Sequence, residues 1–151
     1  IPDDWVGSTE QKMIEYKRLA DVKNETELEY IISEWKDRFS RVPEEVENLT
    51  KLIQLRLLAT ESTISVIREA GDSLRIYTPF TEYEWNILKN KINKDILRRV
   101  KFVLAPKTSS EGKSILLVKT EYLNFEEIFN ILSGLFYDIK NGIKTYLSES
   151  K

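Results

Sequence analysis

The side chains here that could do chemistry are carboxylates, amines, guanidiniums, hydroxyls and phenols, because the chain contains no histidine and no cysteine. The missing imidazole removes the usual general base near neutral pH and the commonest metal ligand. Ser-His-Asp and Cys-His catalysis are excluded. Without cysteine there is no disulfide, thiolate chemistry or zinc knuckle, which fits a reducing cytosol. Two adjacent carboxylate pairs remain, Glu44-Glu45 and Glu126-Glu127. Neighbours on a helix do not face each other, and both pairs fall in expected first turns, where negative charge complements the helix dipole. They read as structural residues rather than an acid–base dyad. Neither GxxxxGK[ST] nor GxGxxG occurs, so no phosphate-cradling loop is expected. The sequence points away from an enzyme and implies no cofactor and no metal.

Two charged arrays could instead serve binding. Glu34, Asp37 and Arg38 lie on one side of an expected helix, where Glu34 and Arg38 can pair at i,i+4. On their own they describe an ordinary solvated face. Lys89, Lys91, Lys94, Arg98, Arg99 and Lys101 cluster in sequence beside Tyr83 and Trp85. Phosphate contact with aromatic stacking is the chemistry such a cluster offers, and a nucleic-acid-binding accessory domain is the alternative reading. Against direct nucleic-acid binding stand a net charge of -2 and the lack of any recognition-helix or RNP-like pattern. Lysines at helix ends also complement the dipole. Charge is unevenly spread: Ile1 to Ser62 holds 14 acids and 9 bases, while Thr63 to Lys151 holds 11 acids and 14 bases. The acidic first part suits docking to a basic partner.

These residues must be positioned by a core, and 151 residues are enough for one domain or two closely packed lobes. A chain of this length buries ~70% of the surface that its unfolded form exposes. No apolar run approaches the ~20 residues that span a bilayer, and no secretory signal opens the chain. A cytoplasmic protein with no membrane contact is expected. The chain opens on Ile1 rather than Met and reads as a segment of a longer protein.

The first part reads as three helices, over 1–62. An extended lead-in at Ile1–Val6 precedes a Ser8/Gln11 capping box and a helix to about Asp21 that buries Met13, Tyr16 and Ala20. Asn24 with Glu27, or Thr26 with Glu29, caps a second helix with the stripe Leu28, Ile31, Ile32, Trp35 and Phe39. Its opposite face, Glu27, Glu34, Asp37 and Arg38, is expected in water. Pro43 suits the first position of a third helix, because its missing N–H has no intrahelical partner there. That helix runs to about Ser62. Its apolar sector, from Val46, Leu49, Ile53 and Leu57 to Leu52, Leu55, Leu58 and Ala59, predicts burial on more than one side.

From 63 to 151 the character changes to ββαββα. Ile64–Glu69 and Ser73–Thr78 flank Gly71-Asp72 as a hairpin, with Leu74/Ile76 alternating against Arg75/Tyr77. Thr81 and Glu84 cap a fourth helix carrying Trp85, Leu88 and Ile92. Arg99–Leu104 and Ser114–Thr120 are strands separated by a polar loop, Pro106–Lys113. Asn124 and Glu127 cap a closing helix through Ile128, Leu132, Leu135, Phe136 and Ile139, which Asn141-Gly142 either kinks, ends or allows to continue. Trp5, Trp35 and Trp85 read as core fillers. The fold class is α+β: three helices, then hairpin strands in a small, mostly antiparallel sheet packed on helices.

Several runs agree in order and spacing with one family. Ile1-Pro2-Asp3-Asp4-Trp5-Val6 is similar to an IPDxY lead-in, Tyr16-Lys17-Arg18-Leu19-Ala20 to YKR[LI]A, and Asp37-Arg38-Phe39 to DRF/DRY. Ser40-Arg41-Val42-Pro43 departs from G-x-[LP]-P by losing the glycine, which makes a left-handed helix cap costlier there. Leu55-Arg56-Leu57-Leu58-Ala59 completes the series. Together they resemble the C-terminal TRCF domain of bacterial transcription-repair coupling factor (Mfd), densely over Ile1 to Ala59 and afterwards in element order alone.

The resemblance implies a single non-catalytic regulatory domain. The parent it implies is an ATP-driven DNA translocase that removes stalled RNA polymerase and recruits the repair protein UvrA. In that family this module docks on the UvrB-like region of its own protein and masks the UvrA-binding surface. The contact is made through an E-x-x-D-R face, which falls here on Glu34, Asp37 and Arg38.

Overall fold

Two compact units divide the chain, Ile1–Leu57 and Leu58–Lys151. The computed structural model describes residues 9–39, 44–64 and 66–149. The lead-in, the Ser8 cap and the Ser40–Pro43 run lie outside these.

Three helices supply the first unit's structure: α1 (Thr9–Ala20), α2 (Glu25–Phe39) and the opening turns of α3 (Glu44–Glu61). Asn24 Oδ1 accepts from the Glu27 N–H at 2.9 Å, the first of the two expected caps for α2. Glu27 answers on the Lys23 N–H at 2.8 Å rather than on Asn24. The stripe on α2 is as its spacing predicts: Leu28, Ile31 and Trp35 are buried, and Ile32 and Phe39 pack beside them. Leu19, Val22 and Val46 complete the core, flanked by Leu49, Ile53 and Leu57. Arg56 of α3 donates to the Val22 carbonyl at 2.8 Å, just past the open end of α1.

The α1 face differs from expectation. Met13 and Tyr16 are 68% and 45% exposed and Ala20 is exposed, while Glu15 and Leu19 are buried. Periodicity scored the carboxylate as polar and so rotated the predicted inner face. Glu15 is buried because partners on two helices satisfy it.

The second unit follows α3 with β1 (Val66–Ala70), β2 (Ser73–Thr78), α4 (Glu82–Leu88), a 3-10 turn (Lys89–Lys91), α5 (Lys94–Leu97), β3 (Val100–Leu104), β4 (Ser114–Lys119) and α6 (Phe125–Glu149). The strands form one antiparallel sheet in the order β1-β2-β4-β3. Gly71 at φ 65° turns the first hairpin, joining Ala70 to Ser73. The expected alternation on β2 holds only in part, because Tyr77 is buried as well as Ile76. Residues of the 105–113 connection cover Tyr77: the Lys113 N–H donates to Thr78 O at 2.9 Å, and Gly112 lies where a Cβ would meet Tyr77 Cβ at 3.2 Å.

Both capping boxes expected in the second unit are present. Thr81 and Glu84 exchange hydrogen bonds at 3.2 and 2.9 Å, and Asn124 and Glu127 at 2.8 and 3.3 Å. The fourth helix is shorter than expected. It stops at Leu88, and Ile92 is extended, because Asn93 Oδ1 caps α5 through Asp95 N–H (2.8 Å) and Ile96 N–H (3.4 Å). Asn141-Gly142 does not interrupt α6, which continues to Glu149. A Cβ at Gly142 would lie 2.9 Å from Leu88 Cδ2, so this glycine permits close approach to α4 rather than a bend.

Candidate functional site

Glu15 is 1% exposed, and a lone carboxylate there would cost several kcal/mol of lost hydration. Four side chains answer it. Trp35 Nε1 donates to Oε2 at 2.6 Å, Arg18 Nη1 to the same oxygen at 3.0 Å, and Gln11 Nε2 to Oε1 at 2.9 Å. Arg38 Nη1 stands further off, at 3.4 Å from Oε1. Gln11 and Arg18 come from neighbouring turns of α1 and the other two from α2, so one buried anion fastens the helices together.

Arg18 also forks onto Glu34 of α2, Nη1 to Oε1 at 3.1 Å and Nη2 to Oε2 at 2.7 Å. This two-point geometry fixes both side chains. Arg38 joins from the next turn, with Nη1 3.0 Å from Glu34 Oε1. Its guanidinium carbon lies 4.9 Å from the centre of the Phe39 ring. The Arg18 guanidinium, and secondarily Arg38, hold the Glu34 carboxyl below its ordinary value; Glu34 in turn raises Arg18.

The structure therefore brings Glu34 and Arg38 together as the i,i+4 pair that their spacing suggests. It corrects the solvated-face reading for Glu34, which is half-buried between two arginines. Asp37 remains exposed, and Arg38 keeps 43% of its side chain in solvent. Sequence reasoning missed Glu15 and Arg18. A visible signal was their i,i+3 spacing, but nothing within α1 alone announces partners on α2. Beside this cluster a shallow groove of about 560 Å³ is lined by Arg18, Asp21, Val22, Thr26, Glu27, Tyr30 and Ile31.

The basic cluster is spread over several elements. Lys89 and Lys91 lie in the 3-10 turn, Lys94 opens α5 and Arg98 caps its end, whereas Arg99 precedes β3 and Lys101 lies within it. Arg98 pairs with Asp95 at 2.9 Å. Trp85 is 5% exposed and stacks on Phe102 at 5.7 Å, so it fills the core and offers no face to a base. Tyr83 is exposed. Of the adjacent carboxylates, Glu44 opens α3, and Glu127 is consumed by its cap. Among the described residues no group of three or more histidines, cysteines or acids is placed to hold a metal, and no helix is long and apolar enough to cross a membrane.

The family model described as the TRCF domain matches residues 1–84. The chain is 29% identical over 141 residues to the transcription-repair-coupling factor of Buchnera aphidicola, covering 90% of this chain and 16% of that protein. It is 35% identical over 72 residues to the Haemophilus influenzae factor, covering 47% of this chain and 6% of the relative. The chain thus spans a small part of the relatives it matches. Its fold is similar to a crystal structure of the C-terminal domain of transcription-repair coupling factor, at a TM-score of 0.74 and 16% identity, over 96% of this chain and 88% of that one. That likeness reaches past the segment the family model matches and across the sheet. With the family model covering more than half of its length, this chain belongs to the TRCF domain family.

Proposed function

We propose that this chain is the non-catalytic C-terminal regulatory domain of a transcription-repair coupling factor, and that it restrains its parent by docking on the UvrB-like region. UvrA recruitment is masked while the contact holds, and the parent's translocation along DNA is restrained with it. RNA polymerase is engaged through other parts of the parent. The observation that carries this reading is the exposed pair Asp37 and Arg38, on a helix edge whose neighbouring side chains are fixed by the Arg18–Glu34–Arg38 network.

Preset side chains lose little entropy on association, so a small polar contact can form without a large buried area. A charged contact also weakens with salt and can be released, as a regulatory clamp requires. Glu34 acts here mainly as the brace and Asp37 as the outward contact.

The test is UvrA capture by the full parent. Replacing Glu34, Asp37 and Arg38 together with alanine should increase it. Unchanged capture would count against the assignment.

A further inference from the structure

We propose that the outer face of the sheet binds the phosphate backbone of duplex nucleic acid. The register sorts the strands into two faces. Ile67, Ile76, Leu116 and Phe102 are cross-strand partners, and Trp85 stacks on Phe102, which makes theirs the helix-covered face. Residues of opposite parity point the other way. There Arg68 pairs with Arg75, Arg75 with Leu117, and Leu117 with Lys101, forming one row across all four strands. Lys119 opposes Ser73 in the next row. Arg68, Arg75, Lys101 and Lys119 are exposed.

Like charges placed directly opposite on neighbouring strands destabilise a sheet. Arg68 facing Arg75 is therefore a cost to the fold, one that a polyanion would relieve. Within the unit one anion already does so in part: Glu111 is paired with the Arg68 guanidinium through two carboxylate oxygens. This pairing lowers Glu111 and raises Arg68 from their ordinary values. Arg75, Lys101 and Lys119 carry the rest of the field.

Duplex backbone fits better than a protein or a single strand. The face presents no large exposed apolar anchor such as protein interfaces use; Leu117 is half-buried between the cations. Tyr77, its aromatic residue, is 9% exposed and cannot stack bases. Three strand spacings carry Arg68 to Lys101 over ~14 Å, enough to reach phosphates on both sides of a major groove ~12 Å wide. Binding would be independent of base sequence.

The test is fluorescence anisotropy of the whole chain with a labelled 20-base-pair duplex. About four phosphate contacts predict a loss of ~100-fold in affinity between 50 and 200 mM salt. The double variant R75E/K101E should lose at least tenfold with its circular dichroism unchanged, and R75Q alone several-fold. K91E/K94E, in the helical segment, should stay within twofold, and E111Q should bind several-fold tighter. No binding at 50 mM salt, an equal loss in K91E/K94E, or a preference for polyglutamate over the duplex would overturn the proposal. None of these readouts involves the UvrB-like region, so they stand or fall apart from the docking reading.

Discussion

The indole N–H of Trp35 donates to the Glu15 carboxylate at 2.6 Å, with both side chains shielded from solvent. The relation gives a large aromatic a polar partner and gives a buried anion a donor that carries no charge. Both arginines of the cluster are organised around it.

Removing either partner should therefore cost more than its packing alone. Trp35→Phe keeps an aromatic ring but strips one donor from a charged acceptor, a loss of about 1.5–3 kcal/mol. Glu15→Ala leaves Arg18 and the indole without their shared acceptor and should cost about 3–5 kcal/mol. Urea unfolding followed by circular dichroism measures both. Equal, near-zero effects would mean that water replaces the carboxylate without loss.

Acid should loosen the same cluster. Arg18 and Arg38 hold the folded Glu34 carboxyl below the ordinary 4.5, so the unfolded chain takes up this proton first as pH falls. Stability from Glu34 is complete above about pH 5 and is lost on descent through 4.5 towards the lower folded value. Thermal midpoints recorded from pH 6 to pH 3 should fall less steeply in Glu34→Gln than in the parent chain. Parallel curves would contradict the assignment.

Thr63 is the third case. It follows α3 at φ 66°, where the Ile64 N–H reaches Ala59 O at 2.8 Å and the Thr63 N–H reaches Thr60 O at 3.1 Å. These bonds form a Schellman ending, whose left-handed position favours glycine. A β-branched residue there is strained. Thr63→Gly should raise stability by about 1 kcal/mol, visible as an upward shift of the thermal midpoint. A fall would show that the threonine makes compensating contacts.

Gly112 should tolerate no side chain. A Cβ there would lie 2.8 Å from Thr78 O and 3.1 Å from Thr78 N, and backbone atoms cannot step aside cheaply. Gly112→Ala should destabilise the second unit by about 1–3 kcal/mol. Hydrogen exchange at Lys113, whose N–H donates to Thr78 O, should quicken with it. Unaltered exchange would show that the connection shifts freely.

Local chemistry was the legible part. The caps Thr81/Glu84 and Asn124/Glu127 involve residues three apart, and the α2 stripe repeats within one helix, so a short window holds the whole signal. The misreadings share a different cause. Glu15 is buried by partners on another helix, Tyr77 by a connection over thirty residues downstream, and α4 ends at Leu88, short of the separate four-residue helix that Asn93 caps. Glu34, Asp37 and Arg38 looked uniformly solvated because the second arginine on Glu34 is Arg18, sixteen residues away. Only Asp37 fits the solvated reading without qualification.

That contrast selects the decisive measurement. Asp37→Arg alters the exposed contact and leaves the Glu15–Arg18–Glu34–Arg38 network in place, so stability should stay within about 0.5 kcal/mol. UvrA capture by the full parent carrying this single change is the direct test. The docking account predicts capture well above that of the unmodified parent. Capture equal to the unmodified parent, with the fold intact, would contradict it.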